Sequence, residues 1–201
     1  MSFSKFYKGT LIKELFNTDI PVEWDKELLG NGLILGIFKA PNKRSYIIEL
    51  QRIEEPMTKW HKDGYLKMCE DSGSKPVKQV INALDTNTFW DITFFDSQQE
   101  SQSMLSPDDN KSVKSGYDIL GTGNAAFIFS AVIHGLMDIT LDVPSIKVIS
   151  FMAVHTSRIS LYNKLVRSIG QNLGWNNQVL KAGDYAEFGD FAGATFWYLY
   201  R

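Results

Sequence analysis

Apolar and polar positions along the chain mark out most of its elements. GLILGIFKA (32–40) and SYIIELQRI (45–53) are β-branched or apolar runs separated by PNKR, which predicts two strands joined by a turn longer than the minimum. TFWDITFFD (88–96), dense in aromatics and threonine, predicts a third strand. IKVISFMAV (146–154) is continuous and β-branched, the pattern of a strand covered on both faces. YAEFGDF (185–191) and GATFWYLYR (193–201) read as a closing pair of strands.

Helical spacing recurs between these runs. Phe6, Leu11, Leu15 and Phe16 predict a first helix over 4–16, and Val77, Val80, Ile81 and Leu84 a short one over 77–84. A largely apolar segment over roughly 124–140 predicts a helix. In SRISLYNKLVRSIGQNLG (157–174), Ser157 is placed as N-cap. Leu161, Leu165, Val166 and Ile169 form its apolar face, with Arg158, Lys164 and Arg167 in water. Residues 54–86 otherwise read as a polar connector interrupted by Pro56 and Pro76. Residues 97–116, SQQESQSMLSPDDNKSVKSG, read as a long surface loop, either a lid or a partner-binding segment. The resulting order predicts one mixed α/β (α+β) domain over 1–201, a central mixed sheet flanked by helices, with no internal repeat.

Composition narrows the function classes. With 44% hydrophobic and 13% aromatic residues among 201, the chain has material for one sizeable core. Its 21 basic and 23 acidic residues leave a net charge of -2, which removes the usual electrostatic case for nucleic acid. The single cysteine, Cys69, forms no intramolecular disulfide and no cysteine-based zinc site, and lacks a nucleophile's context. No signal peptide is read at the N-terminus, and Asp138, Asp142 and Pro144 interrupt the longest apolar stretch, so a soluble, cytoplasmic protein without membrane contact is expected.

The chemistry centres on YDILGTGNAAFIFSAVIHGL (117–136), where a short apolar run meets two glycines before a helix. Bare N–H groups there suit a phosphate, and a tight turn needs the same glycines. GTGNAA fits the relaxed dinucleotide fingerprint in letters. Yet IKVISFMAV is followed by His155, Thr156 and Ser157 rather than by a ribose-binding acid, and Asp142 precedes that strand. A Walker motif is excluded because no Gly-Lys-Ser/Thr follows.

Strand, Gly-x-Gly, helix, strand, helix is the order in which GNAT acetyltransferases cradle the coenzyme A pyrophosphate. From about Thr88 to Arg201 the chain resembles the GNAT-like proteins of tailed bacteriophages. YDILGTGNAAFIFSAVI, IKVISFMA and SRISLYNKLVRSIG carry the likeness, while residues 1–87 match in element order alone. The resemblance implies a GNAT fold, acetyl-CoA as cofactor and acyl transfer to an amine, in the cytoplasm of an infected host. Gly121, Thr122, Gly123 and Asn124 would hold the pyrophosphate, with Arg158 at the start of the last helix meeting a phosphate. Tyr162 matches the tyrosine that protonates the leaving thiolate, and Glu49, Asp91 and Asp96 are the positional candidates for the base. Asp118 stands where the family has Gln or Arg. A carboxylate there repels a pyrophosphate and favours a second reading, a non-catalytic protein that binds a host or virion partner through the same fold.

The remaining candidates read as structural. Tyr162 also suits half-buried packing and Arg158 a solvated face. His134 reads as a core or interface residue, His155 as a loop residue at a strand end and His61, in MTKWHKDGY, as exposed. Three scattered histidines give no metal-site spacing.

Overall fold

The computed structural model describes residues 20–25, 32–41, 43–97, 125–153, 156–183 and 193–201, with backbone alone at 96, 125, 126, 156–158 and 161. Along these runs the order is β1 (Glu23–Asp25), β2 (Leu33–Lys39), β3 (Ser45–Arg52), α1 (Met57–Asp71), α2 (Lys78–Asp85) and β4 (Phe89–Asp96). Then come α3 (Ala125–Asp142), β5 (Val148–Ala153), α4 (Thr156–Leu173), β6 (Asn176–Lys181) and β7 (Thr195–Tyr200). The described strands form a seven-stranded mixed sheet in the order β1-β2-β3-β4-β5-β7-β6. β4 and β5 are parallel, and β7, antiparallel to both of its neighbours, lies between β5 and β6. The chain divides into two compact units, Met1–Glu49 with Thr93–Ile139, and Leu50–Ile92 with Thr140–Arg201, so β3 and β4 lend residues to both.

In the first unit, alternation in β2 and β3 puts Ile34, Phe38, Tyr46 and Ile48 inside. The turn between the two strands closes when Ala40 N–H donates to the Arg44 carbonyl. Phe38 stacks on Tyr46 at 5.6 Å and meets Phe127 of α3 at 6.5 Å. Two glycines permit close approach here. A Cβ on Gly36 would lie 2.6 Å from the Trp24 ring, and one on Gly135 of α3 would lie 3.1 Å from Ile48.

The second unit has helices on both faces of its strands. β5 is buried along almost its whole length, as its continuous apolar run predicts. One face packs against α1 and α2 through Tyr65, Met68, Val80, Leu84, Phe89 and Val148. On the other, Tyr162 of α4 stacks on Trp197 of β7.

Two expectations change, and one strand is new. The stretch 54–86 is no loose connector, because residues 57–71 form a 15-residue helix. Its apolar residues fall on both sides, Tyr65 and Met68 inward but Met57, Trp60 and Leu66 outward, so no clean periodicity betrays it. The partner of β7 is NNQVLK (176–181), a strand in which only Leu180 is buried, while 185–191 lies outside the described residues. Ser157 is not the N-cap, because α4 already includes Thr156. The expected helix over 4–16 and nearly all of the 97–116 loop also lie outside the described residues.

Candidate functional site

Register within the second unit aligns a polar row across four strands. Asp91 of β4 faces Ser150 of β5, Ser150 faces Tyr198 of β7, and Tyr198 faces Gln178 of β6. Directly opposed residues share a face, so these four side chains belong to one side of the sheet, the side covered by α1. Tyr65 of α1 meets Tyr198 edge-on, with centroids 5.0 Å apart, and donates its hydroxyl proton to Gln178 Oε1 at 2.6 Å. One turn earlier on α1, His61 Nε2 lies 3.5 Å from Asp91 Oδ2.

Burial governs the protonation of this row. It disfavours the charged form of each group, raising acids and lowering bases. The Asp91 carboxyl is pushed up to about 7, and the His61 imidazole is held down at about 4. Burial also raises Tyr198, which Asp91, Tyr65 and Cys69 raise further through their charges, and it raises the Cys69 thiol. Asp91 keeps an opening to water, its side chain being 35% exposed against 17% for His61. That opening screens part of the burial, and a carboxyl raised by burial yet still in reach of water has the character of a general base.

The β4–β5 ladder runs from Phe89↔Val148 to Asp91↔Ser150, whereas the β5–β7 ladder continues to Ala153. Past Ser150, β5 remains in register with β7.

The positions singled out from sequence are distributed over both units. Gly121, Thr122, Gly123, Asn124, Asp118 and His155 lie outside the described residues. Glu49 is half-buried on β3 and Asp96 ends β4, both in the first unit. Arg158 occupies the first turn of α4, one turn before Tyr162. The Tyr162 ring is buried against Trp197, 5.4 Å between centroids, and Trp197 Nε1 donates to Asn163 Oδ1 at 2.7 Å. Tyr162 and Asp91 thus lie on opposite faces of the same strands and are not brought together.

His61 is the residue that sequence reasoning misplaced. Expected in solvent, it is recessed between Trp60 and Phe89 beside Asp91. Its one signal was its place three residues after Thr58 and four before Tyr65, the inward spacing of α1. Among the described residues no cluster of three or more His, Cys, Asp and Glu could hold a metal, and no helix is long and apolar enough to cross a membrane. No protein-family model, curated protein or solved structure matches the chain.

Proposed function

We propose that the chain is a GNAT-like, acyl-CoA-dependent N-acyltransferase in which Asp91 is the base. The observation that carries this reading is the Asp91 carboxyl, held at about 7 at the last rung of a parallel pair. Above that pH it accepts a proton from an ammonium, freeing the amine to attack a thioester carbonyl. Backbone N–H groups of β5 past Ser150 are of the kind that polarise such a carbonyl. The run of β4, α3, parallel β5 and α4, with β7 inserted before β6, supports the GNAT assignment. The GTGN sequence at 121–124 immediately precedes α3, where helix N–H groups suit a pyrophosphate. Arg158 would meet a phosphate, and Tyr162, on the face opposite Asp91, is the acid that the resemblance assigns to the thiolate.

Calorimetric titration of the purified chain with acetyl-CoA and with CoA tests this. Micromolar binding of both, lost in a folded Gly123→Asp variant, is the expected result. Absence of heat and of any melting shift at millimolar ligand overturns it. Asp118, a carboxylate at the first motif position, favours the second reading, a host or virion protein as partner, and that outcome would direct the search there.

A further inference from the structure

The first turns of α1 carry an outward apolar edge next to the inward polar row. Met57 and Trp60, three residues apart and hence neighbours on the helix, are 50% and 43% exposed. The His61 ring stands edge-on to the Trp60 indole, 5.1 Å between centroids and 85° between planes, and its Nε2 is 3.5 Å from Asp91 Oδ2. An accessible indole, an imidazole and a partly open carboxyl are therefore held in one corner of the second unit. On the same side of α1, one turn before His61, the Thr58 hydroxyl is buried without a hydrogen-bond partner. Nearby cations are already matched, Lys62 by Asp85 at 2.7 Å and Arg52 by Glu54. Among the described residues no lysine or arginine pairs with Asp91.

We propose that the corner formed by Trp60, His61 and Asp91 binds a small organic ammonium ion, the carboxylate serving as counter-ion and the indole covering the alkyl face. A cation gains from both an aromatic face and a partly desolvated carboxylate, whereas a neutral molecule of the same shape gains from neither. His61, neutral beside it, offers a ring nitrogen that accepts an ammonium N–H. This deepens the acyltransferase reading by assigning the charged end of the acceptor, and it rests on that reading only for the word acceptor.

Binding requires Asp91 ionised. Of the titratable groups on this face, Tyr65 and Cys69 of α1 and Tyr198 of β7 are raised by burial and stay neutral near pH 7, and His61 is neutral above about 4. Asp91, at about 7, is the group of this set that titrates between pH 6 and 8. Affinity should therefore fall roughly tenfold from pH 8 to pH 6.

The experiment titrates the full chain with n-butylammonium chloride and, in parallel, with n-butanol. It follows the indole N–H resonance assigned through Trp60→Phe and the His61 ring signals. Saturable shifts with the ammonium, about tenfold or more weaker with the alcohol and in Asp91→Asn, are expected. Equal affinity for the two compounds overturns the proposal, as do shifts that persist in an Asp91→Asn chain with unchanged circular dichroism. Should Asp91→Asn fail to fold, the outward variant Trp60→Leu takes its place, and unchanged ammonium affinity there is equally fatal. Ammonium binding without CoA binding leaves the corner standing and removes the acceptor assignment. CoA binding without ammonium binding removes the corner, and the acceptor assignment with it, and leaves the acyltransferase reading standing.

Discussion

The imidazole of His61 and the carboxyl of Asp91 lie 3.5 Å apart, one on a helix and the other on a strand beneath it. With the carboxyl raised and the imidazole lowered, the folded pair holds one proton across mildly acidic pH, on Asp91. In the unfolded chain it also holds one, on His61, because the ordinary values are 3.8 and 6.5. Folding moves the proton between partners without changing their number.

That exchange predicts a pH signature. Between about 4 and 6.5 the intact pair contributes almost no slope to stability, since bound protons are equal in both states. Asp91→Asn leaves a histidine whose folded value is depressed, so its stability is present above 6.5 and lost as pH falls toward 4. His61→Gln leaves an acid whose folded value is raised, so stability is greatest below 3.8 and lost as pH rises toward 7. Each slope is at most about 1.4 kcal/mol per pH unit and is reduced by solvent access. Urea unfolding at half-unit pH intervals should show the two variants diverging in opposite directions. Parallel profiles would refute the shared proton.

Tyr162 separates packing from chemistry. Truncation to Ala removes a buried ring stacked on Trp197 and should cost about 3–5 kcal/mol in denaturant unfolding. Tyr162→Phe keeps the stack and should stay within about 1.5 kcal/mol. If the hydroxyl also serves as acid, the Phe variant should lose about 10²-fold or more in acyl-transfer turnover while retaining CoA affinity. Unchanged turnover in Tyr162→Phe would confine the residue to packing.

Elements with one simple pattern were readable from sequence. β5 is buried almost throughout and reads as an unbroken apolar run, and β2 and β3 alternate because one face is covered. β6 gave no signal, since NNQVLK buries only Leu180 and owes its strand state to pairing with β7. α1 was hidden because its inward side is built from Thr58, His61, Tyr65 and Cys69, which look polar or incidental in a linear reading. Asp91 could be suspected from its strand position, but its partner is 30 positions earlier and reaches it only through the docking of a helix. No local spacing encodes such a pair.

Gly36 should resist substitution. In Gly36→Ala the new methyl would lie 2.6 and 2.7 Å from Trp24 ring carbons and 2.8 Å from Val22 Cγ1, and a rigid indole yields little. A loss of about 1–3 kcal/mol is expected, with β1 displaced from β2. The double variant Gly36→Ala/Trp24→Leu should recover part of it. A wild-type midpoint in Gly36→Ala would show that the Trp24 contact is loose.

The last prediction concerns the Tyr65 hydroxyl, which joins three elements. It accepts the Val77 N–H at 2.8 Å, at the residue that opens α2, where no side chain supplies a cap. It donates to Gln178 Oε1 on β6, and Gln178 Nε2 in turn donates to the Lys75 carbonyl at 3.2 Å. Tyr65→Phe preserves the edge-on contact with Tyr198 and strands both partners, so it should cost about 1–3 kcal/mol with an unchanged denaturant slope. Gln178→Leu alone strands the tyrosine and should cost a similar amount. Combined, the two should cost less than their sum by roughly 0.5 kcal/mol or more, because the second change removes a group the first had already left unpaired. Strict additivity would mean that water replaces the missing hydroxyl and that α1, α2 and β6 are joined by apolar packing alone.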